Sequence, residues 1–218
     1  MHTILVLNPK GGCGKSTIAT NIAGYFAMRG KNVSLADCDP QSSSSDWMEI
    51  RPSNLSKINH VPVKHGKLHV PNNTDMLILD TAAGIHDQRM ANIVRAAQTM
   101  VVPVLPSPID MRAAERFLKD LIKLRAKTIN NRIKIATVAN RVNEATLAAA
   151  KLEGYLENLQ LPSGRKIPFM TLLRASQNYV HAAEKGMTIF ELAHSKTYYD
   201  QEQWRPLLNW LESKRSIP

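Results

Sequence analysis

Cysteine is nearly absent from this chain of 218 residues, which contains only Cys13 and Cys38. Two thiols cannot form the several disulfides that stabilise small secreted proteins, so the composition predicts a reducing, cytoplasmic environment. The sequence also has no apolar run that approaches the ~20 residues needed by a membrane-spanning helix. Its first residues lead directly into a strand-like apolar run, and this pattern predicts no signal peptide.

Acidic residues are scarce relative to basic ones. The 28 Lys and Arg outnumber the 18 Asp and Glu, which gives a net charge of +10. Such a surplus favours a polyanionic partner, and without a helix-turn-helix ahead of the core we expect contact with the DNA backbone rather than with base sequence. The candidate DNA-binding residues are Arg132, Lys134, Arg165, Lys166 and Arg174.

A glycine-rich stretch near the start of the chain predicts a phosphate-binding loop. The residues 8–17 read NPKGGCGKST, follow the apolar run 4–7 and precede a helix-like segment that ends at about Met28. Glycines let several backbone N–H groups converge, and the following helix start adds the positive end of its dipole. In this layout Lys15 reaches the β- and γ-phosphates and the Ser16 hydroxyl reaches Mg²⁺. The predicted nucleotide-binding residues are Lys10, Gly11, Gly12, Cys13, Gly14, Lys15, Ser16 and Thr17.

Three carboxylates follow two further strand-like runs. Asp37 and Asp39 end the run that begins near residue 32, and Asp80 follows the apolar residues 76–79. Alternate residues of a strand point the same way, so Asp37 and Asp39 can both face the nucleotide. Each acid alone is as typical of an ordinary strand-end or capping residue as of a nucleotide site, but all three motifs in this order favour the nucleotide site.

Alternating strand-like and helix-like segments predict the fold class. They indicate one α/β domain over residues 1–218, with a mostly parallel twisted sheet flanked by helices on both faces. A nucleotide would then bind at the carboxyl ends of the strands. Residues 51–75 carry several prolines and little periodicity, so we expect a variable surface excursion there. Beyond the motifs, strands are predicted at 99–105 and 133–140, and helices at 88–97, 110–127, 143–160 and 200–214.

The three motifs in this order resemble those of the ParA/MinD family of deviant Walker-type P-loop ATPases, closest to its small partition and positioning members (plasmid ParF-like and carboxysome-positioning McdA-like). Pro9 stands where the usual first glycine would fall, and Lys10 matches the second lysine of the deviant loop. Residues 37–41 resemble the family's DxDPQ motif. Ala82 departs from the family's DTPAG by replacing its proline. Weaker matches extend the resemblance over residues 3–191, with a loose region at 45–75.

The resemblance implies roles for individual residues. Lys10 would cross a dimer interface to the partner's nucleotide, and with Lys15 would stabilise the charge that develops during phosphoryl transfer. Asp39 would position the attacking water. A late strand that ends in Asn140 would read the adenine edge. The Mg²⁺ shell would be held by Ser16, Asp37 and Asp80.

The resemblance also implies a function. Such ATPases form an ATP-sandwich homodimer, bind DNA non-specifically, and release it when a ParB-like or adaptor partner stimulates ATP hydrolysis. The expected cargo is a plasmid or a protein organelle such as a carboxysome. The expected location is cytoplasmic and nucleoid-associated.

Three alternatives stay open at this stage. A MinD-like membrane-associated ATPase that regulates division-site placement would need a lipid-binding terminal helix. We expect that helix to pack on its own sheet instead, without stable membrane association, because Asp200, Glu202 and Glu212 dilute any attraction to anionic lipid. A metabolic enzyme on this fold, such as an ATP-dependent amidoligase or carboxylase, would need its own small-molecule pocket. A bacterial tyrosine kinase would need a terminal tyrosine cluster, whereas only Tyr198 and Tyr199 are adjacent.

Overall fold

A parallel sheet organises the chain. The structure, a computed structural model, describes residues 1–64, 67–83, 93–127, 133–160 and 164–218. Seven strands of this described part form one sheet in which every neighbouring pair is parallel. In chain order these strands are β1 (His2–Val6), β2 (Val33–Cys38), β3 (Ile58–Val61), β6 (Met76–Thr81), β7 (Thr99–Val104), β8 (Lys134–Val142) and β9 (Phe169–Arg174). Their spatial order is β3-β2-β6-β1-β7-β8-β9. A separate antiparallel hairpin pairs β4 (Val63–Lys64) with β5 (Lys67–Leu68).

Helices cover the sheet on both faces, as the alternating pattern predicted. They are α1 (Lys15–Met28), α2 (Ser43–Glu49), α3 (Pro108–Lys127), α4 (Leu147–Glu157), α5 (Gln177–Ala183) and α6 (His194–Glu212), followed by a 3₁₀ turn at Lys214–Ser216. Successive strand residues point to opposite faces, so Ile4 and Val6 join the core beneath α1 and α6, whereas Leu5 and Leu7 join the core beneath α3 and α4. None of the helices in the described part of the chain is long and apolar enough to cross a membrane.

The observed elements refine several predicted boundaries. The helix predicted at 200–214 begins at His194, and the one predicted at 143–160 spans Leu147–Glu157. Residues 93–96 are helical, whereas 88–92 of the helix predicted at 88–97 lie outside the described residues. The prediction of a surface excursion at 51–75 was wrong for Ile58–Val61. These four residues form the edge strand β3, whose end residues Ile58 and Val61 are buried.

The terminal helix packs on the sheet, as expected. Trp204 is fully buried, its indole N–H donates to the Tyr179 hydroxyl at 2.8 Å, and its ring meets Phe190 edge to face. The remaining apolar side chains of the same face are also buried: Leu207, Leu208 and Leu211. The face that a membrane-binding helix would insert into lipid is therefore part of the protein core.

A buried ion pair joins the segment just after α2 to the segment before α6. The Arg51 guanidinium donates to the Glu191 carboxylate at 2.5 and 3.0 Å, and the two side chains are only 6% and 2% exposed. Arg51 also donates to the Gly186 carbonyl at 3.0 Å. Gly186 has a φ of +61°, and a Cβ there would lie 2.6 Å from the Arg51 Cα. The segment 186–191 therefore requires glycine at position 186 and an acidic side chain at position 191.

We predict that Glu191→Ala lowers the free energy of unfolding by about 3–5 kcal/mol, because it leaves the Arg51 guanidinium buried without its counter-ion. Glu212→Ala is the matched control. Glu212 pairs with Arg29 at 2.9 Å, but those side chains are 33% and 55% exposed, so its loss should cost less than about 1 kcal/mol. Urea unfolding of both variants checks the prediction, and equal losses would contradict it.

Candidate nucleotide site

The glycine-rich loop turns directly from β1 into α1. Gly12 and Gly14 have φ values of +72° and +87°, a region that side chains with a Cβ rarely adopt. Gly14 immediately precedes α1, whose first turn has no side-chain cap in the described part of the chain. The N–H groups of that turn therefore stay available, which is the arrangement that binds phosphate at a helix N-terminus. Asn8 stabilises the loop by accepting from the Lys10 backbone N–H at 3.0 Å.

Asn140 and Arg141 support the loop from β8. The Asn140 amide nitrogen donates to the Cys13 carbonyl at 2.8 Å, and a Cβ on Gly14 would lie 2.2 Å from that nitrogen. Arg141, with an unusual φ of +52°, donates to the Gly12 carbonyl at 3.3 Å. These contacts were not foreseen from the sequence. The structure thus places Asn140 against the loop, and its contact with adenine stays a prediction.

Lys15 lies in the loop with its ammonium held close to the backbone. The residue is 7% exposed, and its Nζ donates to the Lys10 carbonyl at 3.0 Å and lies 3.9 Å from the Cys13 sulfur. Both contacts are to neutral atoms, so a buried positive charge here is well suited to an anionic ligand. Burial raises the pKa of the Cys13 thiol, which therefore stays protonated and acts as part of the loop packing.

Asp37 and Asp39 organise the chain between β2 and α2. One oxygen of Asp37 accepts from the backbone N–H groups of Ser44 and Ser45 at 3.0 and 2.9 Å, and the other accepts from Asp39 N–H at 3.0 Å. Asp39 in turn accepts from Gln41 N–H at 2.9 Å. The capping role that the sequence left open for these acids is therefore present, and both remain at the carboxyl end of β2 near the loop.

Asp80 is a buried carboxylate of the site, and its pKa is strongly raised. It lies opposite Asp37 in the β2–β6 register and is fully buried. Its pKa is raised to about 6 overall: burial and, less strongly, the Asp37 charge raise it, whereas interactions with Ser16, Ser44 and Lys15 lower it. One carboxylate oxygen accepts from the Ser44 hydroxyl at 2.8 Å. The other is buried without a hydrogen-bond partner among the described residues.

The unpartnered oxygen of Asp80 tests whether the site fits a metal ion. A buried carboxylate oxygen beside a hydroxyl and a second carboxylate offers the hard oxygen ligands that Mg²⁺ prefers. The residues present therefore fit the predicted magnesium shell of Ser16, Asp37 and Asp80. Sequence reasoning missed Ser44, and its position in the serine run 42–45 was the available signal.

The predicted DNA-binding residues separate in space. Lys134, Arg165 and Lys166 line one cavity. Arg174 lies elsewhere, where its guanidinium donates to the buried Asp200 at 2.6 Å and covers the Tyr199 ring at 4.8 Å. This pairing gives Arg174 a structural role, and its contact with DNA stays a prediction. Arg132 lies outside the described residues.

Comparison with known proteins identifies the family. Residues 4–189 match the family described as the CobQ/CobB/MinD/ParA nucleotide binding domain. Over 197 residues the chain is 29% identical to maintenance of carboxysome distribution protein A of Halothiobacillus neapolitanus, with 87% of each chain covered.

Solved structures share the fold. The apo McdA of Cyanothece superposes with a TM-score of 0.73 at 16% identity, covering 94% of this chain and 98% of that one. A plasmid partition protein of Borrelia burgdorferi B31 bound to AMPPNP superposes with a TM-score of 0.72 at 14% identity, covering 95% and 98%. At these identities the two structures establish the fold alone.

We predict that Asp80→Asn stabilises the metal-free protein at neutral pH. The carboxyl has a higher pKa in the folded state than its ordinary value of 3.8, so the folded state binds the proton more tightly. The ionised Asp80 carboxylate therefore destabilises the folded wild type. This destabilisation is complete above about pH 6 and disappears as the pH falls towards 4. The variant should be more stable than the wild type by about 3 kcal/mol at pH 7.5, and by nearly nothing at pH 4.

Urea unfolding in EDTA at several pH values measures this difference. Taking the difference between variant and wild type removes the contribution of His2, whose pKa burial lowers to about 4 and which acts in the opposite direction. Asp46→Asn is the control, because it makes the same chemical change at an exposed position of α2. A pH-independent difference for Asp80→Asn would refute the assignment.

Proposed function

This chain belongs to the CobQ/CobB/MinD/ParA family of P-loop ATPases, and from this premise we propose that it is a ParA-type ATPase that positions or segregates a cargo on DNA. The observation that carries the ATPase part is the buried oxygen of Asp80 that has no hydrogen-bond partner among the described residues, beside Ser16 and next to the left-handed glycine loop. A loop that offers free N–H groups and a lysine ammonium suits a triphosphate, and an adjacent buried carboxylate suits the accompanying cation.

The residues of the site take distinct parts in ATP hydrolysis. The loop N–H groups and Lys15 bind the phosphates and stabilise the negative charge that develops on their oxygens. Asp39, held at the end of β2, orients the attacking water. Mg²⁺, held by Ser16, Asp37 and Asp80, would neutralise charge on the phosphate oxygens. The already bonded oxygens of Asp37 favour an outer-shell part for that residue.

The proposed role of Lys10, contact with the nucleotide of a second copy, requires an ATP-bound homodimer. The backbone of Lys10 is fixed on both sides, since its N–H donates to Asn8 and its carbonyl accepts from Lys15. The side chain is partly exposed at the mouth of the loop. It can therefore extend to the nucleotide of a second copy, where a cation stabilises the transferred charge. A partner protein would then raise the rate by completing the site.

The proposed cargo follows from the relatives. A protein named for the maintenance of carboxysome distribution covers 87% of this chain, which supports a protein organelle as cargo, and a plasmid is the second candidate. The net charge of +10 supports non-specific binding to nucleoid DNA, along which the cargo would be positioned. The MinD-like membrane function receives no support from α6, because its apolar face is buried.

We predict that Lys15→Ala lowers ATP affinity by about 100-fold, because a charge-assisted contact of up to about 3 kcal/mol is lost. Asp39→Ala should retain ATP binding but hydrolyse it at least about 100-fold more slowly, and the dimer should accumulate. Lys31→Ala, at an exposed lysine outside the loop, is the control. Isothermal titration, phosphate release and light scattering measure the three properties. Normal hydrolysis by Asp39→Ala would exclude its part in positioning water.

We further predict that the wild type binds random-sequence duplex DNA in the presence of ATP and Mg²⁺ more tightly than with ADP or without nucleotide. Binding should weaken steeply between 50 and about 200 mM salt, because counterion release dominates contacts to the backbone. Fluorescence anisotropy across a salt series measures it. Absence of DNA binding in all three nucleotide states would refute the DNA part of the proposed function.

A further inference from the structure

A basic cavity lies at the end of the sheet opposite the nucleotide loop. Its volume is about 190 Å³, and its walls include Lys134, Arg165, Lys166, Arg215, Trp210 and Pro168. Lys134 is the first residue of β8, and Pro168 immediately precedes β9, so the cavity sits at the amino ends of these strands. The nucleotide loop follows the carboxyl end of β1. All strands of the sheet are parallel, so the two sites occupy opposite edges.

Four cations from three distant parts of the chain converge on this cavity. Lys134 comes from β8, Arg165 and Lys166 from the segment before β9, and Arg215 from the C-terminal 3₁₀ turn. Among the residues that the structure describes, none that lines the cavity is acidic. Within the described ranges none of the four forms an ion pair, and nearby Glu212 pairs with Arg29 instead. Convergent like charges repel one another, and an anion in the cavity relieves that repulsion.

The backbone that carries these cations is well fixed. The Ile167 N–H donates to the Leu159 carbonyl at 2.9 Å, and the Lys134 N–H donates to Gln98 at 2.9 Å. The turn that carries Arg215 is held by the buried Ser216, whose hydroxyl donates to the Leu211 carbonyl at 3.0 Å and whose own carbonyl accepts from Thr99. The charges are therefore presented by ordered structure rather than by a loose tail, which reduces the entropy lost on binding.

We propose that this cavity binds a backbone phosphate of duplex DNA and that Trp210 forms the aromatic wall of the cavity. The proposal rests on the proposed DNA-binding function and adds its location, including Arg215 and Trp210, which were not among the DNA-binding residues predicted from the sequence. Cations that converge without a recognition helix bind phosphate rather than base sequence. An anionic membrane surface is less well matched, because the apolar face of α6 is buried and cannot insert into lipid.

The test compares two double charge reversals of equal size. Arg165→Glu with Lys166→Glu changes the cavity, whereas Lys185→Glu with Lys196→Glu changes two exposed lysines outside it. With ATP and Mg²⁺, the cavity variant should bind random duplex DNA roughly 10- to 100-fold more weakly than the control. Its salt slope should fall by about 2, one for each lost phosphate contact. Its ATP affinity should equal that of the control, since the two sites lie at opposite edges of the sheet.

Tryptophan fluorescence provides a readout independent of charge reversal. Trp47 and Trp204 are 6% and 0% exposed, whereas Trp210 is only partly buried and lines the cavity. Addition of DNA to the wild type should change the emission. Trp210→Phe should abolish that change, whereas Trp47→Phe should keep it. An unaltered change in Trp210→Phe would place the DNA elsewhere.

The outcomes separate this inference from the proposed function. Wild-type DNA binding with equal affinities for the two double variants would overturn the cavity site and leave the proposed function standing. No DNA binding by the wild type in any nucleotide state would overturn both. Binding of the wild type to phosphatidylglycerol vesicles but not to DNA, lost in the cavity variant, would reassign the cavity to a membrane surface and also overturn the proposal.

Discussion

The buried carboxylate of Asp80 is the constraint on which the site depends. β6 lies between β1 and β2, so Asp80 emerges in the centre of the sheet, opposite Asp37 and beside the loop that carries Ser16. A charge at this depth is unfavourable by itself, which is why burial raises its pKa to about 6. The Ser44 hydroxyl satisfies one oxygen, and the other is unpartnered within the described chain. The fold thus carries a local instability that a bound cation would remove.

Strand β8 links the two edges of the sheet. At its carboxyl end, Asn140 and Arg141 donate to carbonyls of the glycine loop, and at its amino end Lys134 lines the basic cavity. Residues 135–140 between these ends are buried. A parallel sheet therefore separates the glycine loop from the basic cavity by the length of its strands. That separation allows charge reversal at one edge without direct disturbance of the other.

Local motifs account for what could be predicted from the sequence. The glycine loop and the acids after β2 and β6 are short strings whose spacing has a direct physical meaning, so their elements were found. Edge strand β3 was missed because Ile58 and Val61 are separated by two polar residues and show no alternation. Ser44 contacts Asp80, which lies 36 positions further along the chain. Arg215 lines the same cavity as Lys134, which lies 81 positions before it. Such contacts depend on tertiary packing and leave no local signal.

Helix α2 shows how the site and the rest of the fold are connected. Its N-terminal N–H groups bond to Asp37 and its Ser44 hydroxyl bonds to Asp80, the two acids assigned to the metal shell. Just beyond its other end, Arg51 is anchored in the buried pair with Glu191. A cation that binds the carboxylate oxygens of Asp37 or Asp80 competes with the hydrogen bonds that these oxygens accept from the start of α2. The end of the helix stays fixed by the Arg51 ion pair. The state of the nucleotide site and the position of this helix start are therefore thermodynamically linked, because each changes the free energy of the other.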